Sequence, residues 1–268
     1  IVKNLRNHSS GRCAYCESPV HHTGGECIDH YRPPWGVKEG ETLERKAYTL
    51  FAYTQNNLIY SCEQCSKAHK KLYFPVIGER YPKVKVENEK PVLINPYTEN
   101  PRSFIRFNPE NSCAFAFDST AQFYEKWKGY SLEETENVLW RNTASIPNQF
   151  DEDGNLLTNP DVQSEYERWS KDIADIGFVP RGHRTIDILG LNRPSLIERR
   201  KHQVLTMSLL LRSSLGNDEN SEIKKQIFQL SSGGNHTVPY ASLTLDTIKT
   251  MEYSEDKSII GDSSTGKT

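Results

Sequence analysis

Apolar positions along the chain come in short bursts whose spacing changes several times. In "TLERKAYTLFAYTQ", residues 42–55, Leu43, Ala47, Leu50 and Phe51 recur on one helical face and Thr42 can cap it, which predicts a helix. "NLIYSC" then reads as a short strand, and "SKAHKKLY" as a short basic helix that Phe74-Pro75 would end. From Tyr81 to about Phe123 the bursts shorten. "KVKVE", "PVLIN", "FIRF" and "AFAF" are strand candidates separated by Pro and Asn turns. Farther on, 131–141 and "SEYERWSKDIADIG" read as helices. "NQFDEDGNLLTNPD" between them reads as a loop, since its DxDG lacks the spacing of a full calcium loop. "RTIDILG" follows, with Gly190 as a stop. "RPSLIERRKHQVLTMSLLLRSSLG" is the best helix of the chain, with Ser195 as cap, Glu198 completing a capping box, and Leu196, Val204, Met207, Leu210 and Leu211 as its apolar side. The last ~25 residues, ending "GDSSTGKT", read as poorly ordered.

These elements give an α+β chain in three regions: a cysteine-rich 1–80, a mixed short-strand and then helical 81–215 suited to partner docking, and 216–268 with a partly disordered tail. Hydrophobic residues make up only 35%, but aromatics at 10% argue against general disorder. A net charge of −2 excludes a uniformly basic nucleic-acid binder. Charge is nevertheless uneven. Seven Arg or Lys face two acids between Arg181 and Arg212, whereas eleven acids face three basic residues between Ser131 and Phe178. That distribution suits either a local phosphate-binding face or two solvated surfaces. No apolar run nears the roughly 20 residues of a membrane span. The first residues, "IVKNLRNHSSGRC", lack the apolar core of a signal peptide, so the expected compartment is the cytoplasm.

Four of the six cysteines form two C-x-x-C pairs, Cys13/Cys16 in "CAYC" and Cys62/Cys65 in "CEQC". Two thiolates from one tight turn fill two corners of a tetrahedron, and a second turn supplies the rest, so the four predict a structural zinc site. Cys27 and Cys113 are read as spare thiols. Forty-five residues separate the pairs, long for a zinc ribbon, and this insertion carries "ECIDHYRPP", with Asp29 beside His30.

The order "CAYC … IDHYRP … NNLIYSCEQCSKAHKK" resembles the HNH endonuclease family over about Arg12 to Pro75. The resemblance implies a zinc-stapled ββα-metal domain: a strand ending in the histidine, a second strand, and a helix. "CAYCE", "YTLFAYTQNNLIYSCEQC", "KKLYFPV", "LINPYTENP" and "RTIDILGLNRPSLIERR" extend the likeness, to about Leu211, to the HNH proteins of Septu and retron-associated antiphage systems. That narrower resemblance implies a nuclease effector encoded beside an ABC-type or OLD-like ATPase, with a retron reverse transcriptase and its nucleic acid as possible company.

Phosphodiester hydrolysis needs an activated water, a cation to offset phosphate charge, and a stabilised leaving oxygen. By the resemblance, His30 is the general base, Asp29 ligates a catalytic Mg2+ or Mn2+, and Asn57 orients the loop or His30, with Asn56 its neighbour and rival. A neutral imidazole suits the base role at cytoplasmic pH. The family has Asn or His after the last cysteine as a second metal ligand. Here that residue is Ser66, and His69 lies three residues on. Either His69 takes the ligand role, or Ser66 holds the ion weakly or through water, or metal binding is impaired. Arg32, Lys67, Lys70 and Lys71 are candidate phosphate contacts, the lysines equally readable as a solvated helix face.

Overall fold

The computed structural model describes residues 1–20, 25–39, 42–118, 181–213 and 240–261, with 121, 125, 131, 225–227 and 229. The helices read over 131–141, but for Ser131, and over 164–177 and the loop over 148–161 lie outside the described residues. The chain divides into two compact units. The first comprises Ile1–Ile105, Ala116–Asp118 and Ala174–Leu191, and the second Arg106–Phe115, Ser119–Ile173 and Asn192–Thr268. The first unit thus runs past residue 80.

In the first unit, helix α1 (Val2–His8) precedes strands β1 (Glu26–His30), β2 (Val37–Glu39), β3 (Thr42–Glu44) and β4 (Leu58–Cys62). β4 is the strand expected from "NLIYSC". Its apolar and aromatic residues suit a buried pleat, and Ile59 and Tyr60 are fully enclosed. It pairs antiparallel with β1, opposing Glu26 to Cys62 and His30 to Leu58. β2 and β3 form a separate hairpin.

The helix expected over 42–55 is absent. Thr42–Glu44 is extended, and the Leu43 side chain lies over the bare Cα of Gly36, its Cδ1 3.1 Å from where a Cβ would stand. Lys46 takes φ +64, which interrupts any helix, and two 3-10 turns, Thr49–Phe51 and Gln55–Asn57, follow. The apolar spacing there serves a ring cluster instead. Tyr48 meets Phe74 at 5.5 Å and Tyr81 at 6.2 Å, and Phe51 meets Tyr81 at 5.2 Å. Leu50, expected on the buried face, is exposed.

β4 runs directly into a π-helical segment, Gln64–Lys70, closed by Lys71 N–H donating to Ser66 O at 2.7 Å. Such wide turns are rare and concentrate at functional sites. Lys71, at φ +51, ends it before Phe74-Pro75 is reached.

Two of the four strand readings after Tyr81 change. "KVKVE" gives only a 3-10 turn, Val86–Asn88, and "PVLIN" contributes only Pro91 to β6 (Lys90–Pro91), which pairs with β5 (Val76–Ile77). The buried Leu93 and Ile94 satisfy backbone groups through side chains: Tyr31 Oη–H donates to Leu93 O, and Ile94 N–H to Thr185 Oγ1 at 3.1 Å. With those groups already bonded, no ladder is required. Helix α2 (Arg181–Leu189) supplies that threonine. Its Arg181 is paired with Glu99 at 2.6 Å, and it ends at Gly190, φ +57, as the sequence suggested.

"FIRF" and "AFAF" appear as β7 (Ile105–Phe107) and β8 (Ala114–Ala116), which pair with each other and lie in the second unit but for Ile105 and Ala116. The expected long helix is α3 (Pro194–Ser213). It begins at Pro194, whose fixed φ suits a first helical turn, so Ser195 lies inside the helix rather than capping it. Leu196, Ile197, Met207 and Leu211 are buried, while Leu210 is exposed. α3 packs on α4 (Ala241–Gly261), with Gln203 Nε2 donating to Thr244 Oγ1 at 3.4 Å. α4 replaces poor order with helix over 244–261, while 262–268 lie outside the described residues. Leu243, Leu245 and Ile248 are buried, and Asp246 accepts from Phe107 N–H at 2.8 Å. Among the described residues, no helix is long and apolar enough to cross a membrane.

The mixed α+β class therefore holds. Among the described residues the sheets are all two-stranded, and the cysteine-rich first unit carries the site.

Candidate metal centre and the Asp29–His30 site

The first knuckle follows α1. Cys13 N–H donates to Ser18 O at 2.9 Å, Glu17 N–H returns to Cys13 O at 2.8 Å, and Glu17 takes φ +62 to close the turn. Ala14 N–H donates to Tyr60 O at 2.9 Å, fixing the knuckle to β4. Cys62 ends β4, and Cys65 enters the π-helical segment, its N–H donating to Cys62 Sγ at 3.4 Å. The four sulfurs all lie within 4.8 Å of one another, and Cys16 Sγ is 3.8 Å from Cys62 Sγ. Sulfurs about 2.3 Å from a tetrahedral zinc sit roughly 3.8 Å apart. The set fits zinc, and with four protein ligands such a site is closed. Burial pushes the Cys13 thiol up, so a cation is what would hold it as thiolate. Among the described residues this is the one group of three or more His, Cys, Asp or Glu side chains arranged to hold a metal ion.

Strand alternation separates Asp29 from His30. Asp29 is buried and His30 half-buried. His30 Nε2 lies 2.9 Å from Ala52 O. A carbonyl only accepts, so this bond assigns the proton to Nε2 and leaves the lone pair on Nδ1. Buried Asn57 ties the surrounding loop. Its Oδ1 accepts from Arg32 N–H at 2.7 Å, and its Nδ2 donates to Arg32 O at 2.9 Å and to Phe51 O at 3.1 Å. Asn56 is exposed.

Asp29 has three protein donors. Ser66 Oγ–H reaches Oδ1 at 2.9 Å, Tyr15 Oη–H reaches Oδ2 at 2.7 Å, and Lys70 Nζ lies 3.0 Å from Oδ2. Lys70 Nζ also donates to His30 O at 2.7 Å, and its side chain is 0% exposed. Burial pushes the Lys70 ammonium down and Asp29 opposes it. Burial, then the Asp29 charge, push the Tyr15 hydroxyl well up, so it remains a donor. As arranged, this carboxylate does not fit Mg2+ or Mn2+. Both oxygens hold protein donors, one of them already a cation, and Ser66 donates where a ligand would accept.

The remaining candidates are dispersed. The His69 ring rests on Gly190, where a Cβ would come within 2.3 Å of its Cε1 and Nδ1. Arg32 Nε pairs with Glu89 at 2.8 Å while its guanidinium lies over the Tyr31 and Phe74 rings. Glu89 also accepts from the Tyr48 hydroxyl and from Tyr81 N–H. Lys67 is exposed and paired with Glu63, and Lys71 is exposed. Lys70, read as a phosphate contact, is buried too deeply for that role. The sequence reading missed Tyr15, Glu89 and the Ala52 carbonyl. Only Tyr15 carried a signal, an aromatic donor inside "CAYC".

No protein-family model matches the chain, and no solved structure matches it. A curated bacterial protein does match over part of its length. Over that part the chain is similar to Septu protein PtuB. PtuB of Bacillus mycoides (strain KBAB4) is 36% identical over 113 residues, 40% of this chain. The match spans only 38% of PtuB's own length. This agrees with the Septu resemblance carried by the motifs.

Proposed function

We propose that this chain is an HNH-type endonuclease, the nucleic-acid-cleaving effector of a Septu-like antiphage defence system, working with an ABC-type or OLD-like ATPase. The observation that carries the reading is the His30 imidazole. It stands at the end of β1, with Nε2–H donating to a backbone carbonyl and Nδ1 left able to take a proton. A water approaching phosphorus loses its proton to Nδ1, and the Ala52 carbonyl steadies the imidazolium that forms. Zinc on Cys13, Cys16, Cys62 and Cys65 has no open position, so its role is structural. The defence setting is supported by the similarity to Septu protein PtuB, and the ATPase by the motif resemblance alone. A retron reverse transcriptase belongs to the same inheritance.

The test compares wild type with His30→Ala on duplex DNA, single-stranded DNA, structured RNA and tRNA, with and without the ATPase, in Mg2+, Mn2+ or neither. Loss of the base should cost about 10²–10⁴-fold in rate. Equal cutting by both proteins, or no cutting by a zinc-loaded, partner-bound wild type, sinks the reading. A second reading, a catalytically impaired zinc module that binds nucleic acid or protein, is favoured by the three donors on Asp29. It expects binding without cleavage in the same experiment.

A further inference from the structure

We propose that the Lys70 ammonium takes the place beside Asp29 that HNH-type sites give to a divalent cation, so that this chain carries its cation covalently. The inference rests on the reading of β1, β4 and Gln64–Lys70 as an HNH-type unit, but only for where a cation is expected.

Lys70 Nζ bridges two oxygens that such a cation would influence, Asp29 Oδ2 at 3.0 Å and the His30 carbonyl at 2.7 Å. One belongs to the expected metal ligand and the other to the residue that carries the base. The ammonium is fully enclosed, so it is a fixed part of the site and cannot reach a phosphate. The departures from the family pattern then become one compensated change. Ser66 stands at the second-ligand position, but its hydroxyl donates to Asp29 Oδ1. His69, the alternative ligand, has its ring on Gly190. A chain that lacks a second ligand and holds a positive charge 3.0 Å from the first has little use for an ion there.

Charge balance agrees. Asp29 and Lys70 form a buried ion pair whose opposite charges cancel. An added divalent ion at ligand distance from Oδ2, about 2.1 Å, would face the ammonium in a medium that screens it poorly. It would also displace the Tyr15 bond to the same oxygen. The wide π-helical turn is what delivers Lys70 to this position. Ser66 and Lys70 lie four residues apart and both reach Asp29. Lys70 is accordingly a positioning residue, acting on substrate only through Asp29 and the strand end that bears His30.

The test is Mn2+ binding by the full, zinc-loaded chain, followed by electron paramagnetic resonance, with zinc content and circular dichroism certifying each fold. It needs no cleavage, so it fails or succeeds independently of the nuclease reading. Wild type and Asp29→Asn should leave the same free Mn2+ signal. Lys70→Ala should gain a Mn2+ site, lost again when Asp29→Asn is added. Lys70→Met preserves the apolar stem and serves if Lys70→Ala does not fold. Wild-type Mn2+ binding roughly tenfold tighter than that of Asp29→Asn would overturn the proposal, one decade being a clear difference in affinity. A folded Lys70→Ala or Lys70→Met that gains no Mn2+ site would overturn it as well.

Discussion

Replacing Asn57 with alanine tests how the His30 loop is held. The side chain makes three bonds to backbone: from Arg32 N–H, to Arg32 O and to Phe51 O. Each such bond contributes a net ~1 kcal/mol, and a buried backbone group left without a partner costs about 1–3 kcal/mol. Arg32 and Phe51 are only partly buried, so water can reach some of the released groups. The expected destabilisation for Asn57→Ala is therefore about 3 kcal/mol, nearer the sum of three net bonds than of three orphaned groups. Urea unfolding of the zinc-loaded chain measures it, with an unchanged m-value showing that the unfolded reference is the same. Asn57→Asp separates acceptor from donor. It keeps the Arg32 N–H bond but turns a carboxylate toward two carbonyls, and should be at least as destabilising. Phe51 precedes Ala52, whose carbonyl orients His30, so under the proposed function cleavage should fall along with stability. A loss below ~1 kcal/mol for Asn57→Ala would refute the account, because a net bond alone is worth that much.

Two further outcomes follow from the geometry. Gly190→Ala combines a left-handed backbone, which costs a side chain about 1 kcal/mol, with a Cβ 2.3 Å from the His69 ring. Thermal melting should show a clear drop in Tm, and in a double-mutant cycle His69→Ala should recover the clash but leave the backbone cost. Cys16→Ser, or a strong chelator, should abolish zinc binding measured by elemental analysis and lower the melting temperature. An unchanged zinc content would show that the cluster is not a zinc site.

The cysteine set and the Asp29–His30 pair were legible because their chemistry depends on spacing, and spacing is what a sequence records. β4, β7, β8 and α3 were legible because local pattern and burial agree there. Residues 42–55 were misread because the helix-like spacing of Leu43, Ala47, Leu50 and Phe51 gave no sign of the partners of Tyr48 and Phe51. Those partners, Phe74 and Tyr81, lie more than twenty positions downstream. α4 was missed for a different reason. Its buried face includes Ser242, Thr244, Asp246 and Thr247, polar residues that an apolar count sets aside. Asp246 earns its burial by accepting Phe107 N–H, a partner far away in sequence. Lys70 combined both difficulties, since a lysine in "KAHKK" reads as surface until its carboxylate partner is known.

Lys70 also clarifies why the two cysteine turns bracket this site. Tyr15 lies between Cys13 and Cys16, and its hydroxyl donates to Asp29. Asp29 holds Lys70, and Lys70 holds the carbonyl of His30. At the other knuckle, Cys62 and Cys65 lead into the turn that carries both Ser66 and Lys70. Every donor on Asp29 therefore comes from a segment that the four cysteines tether. Two of them, Tyr15 and Ser66, are chain neighbours of a cysteine, so small shifts of the knuckles change the length of their bonds directly. A closed metal centre touches no substrate, yet here its loss would disperse the donors on Asp29 together. Zinc held by the four cysteines would thus act on the His30 strand end through ordinary hydrogen bonds, and under the proposed function its removal should lower cleavage and stability together.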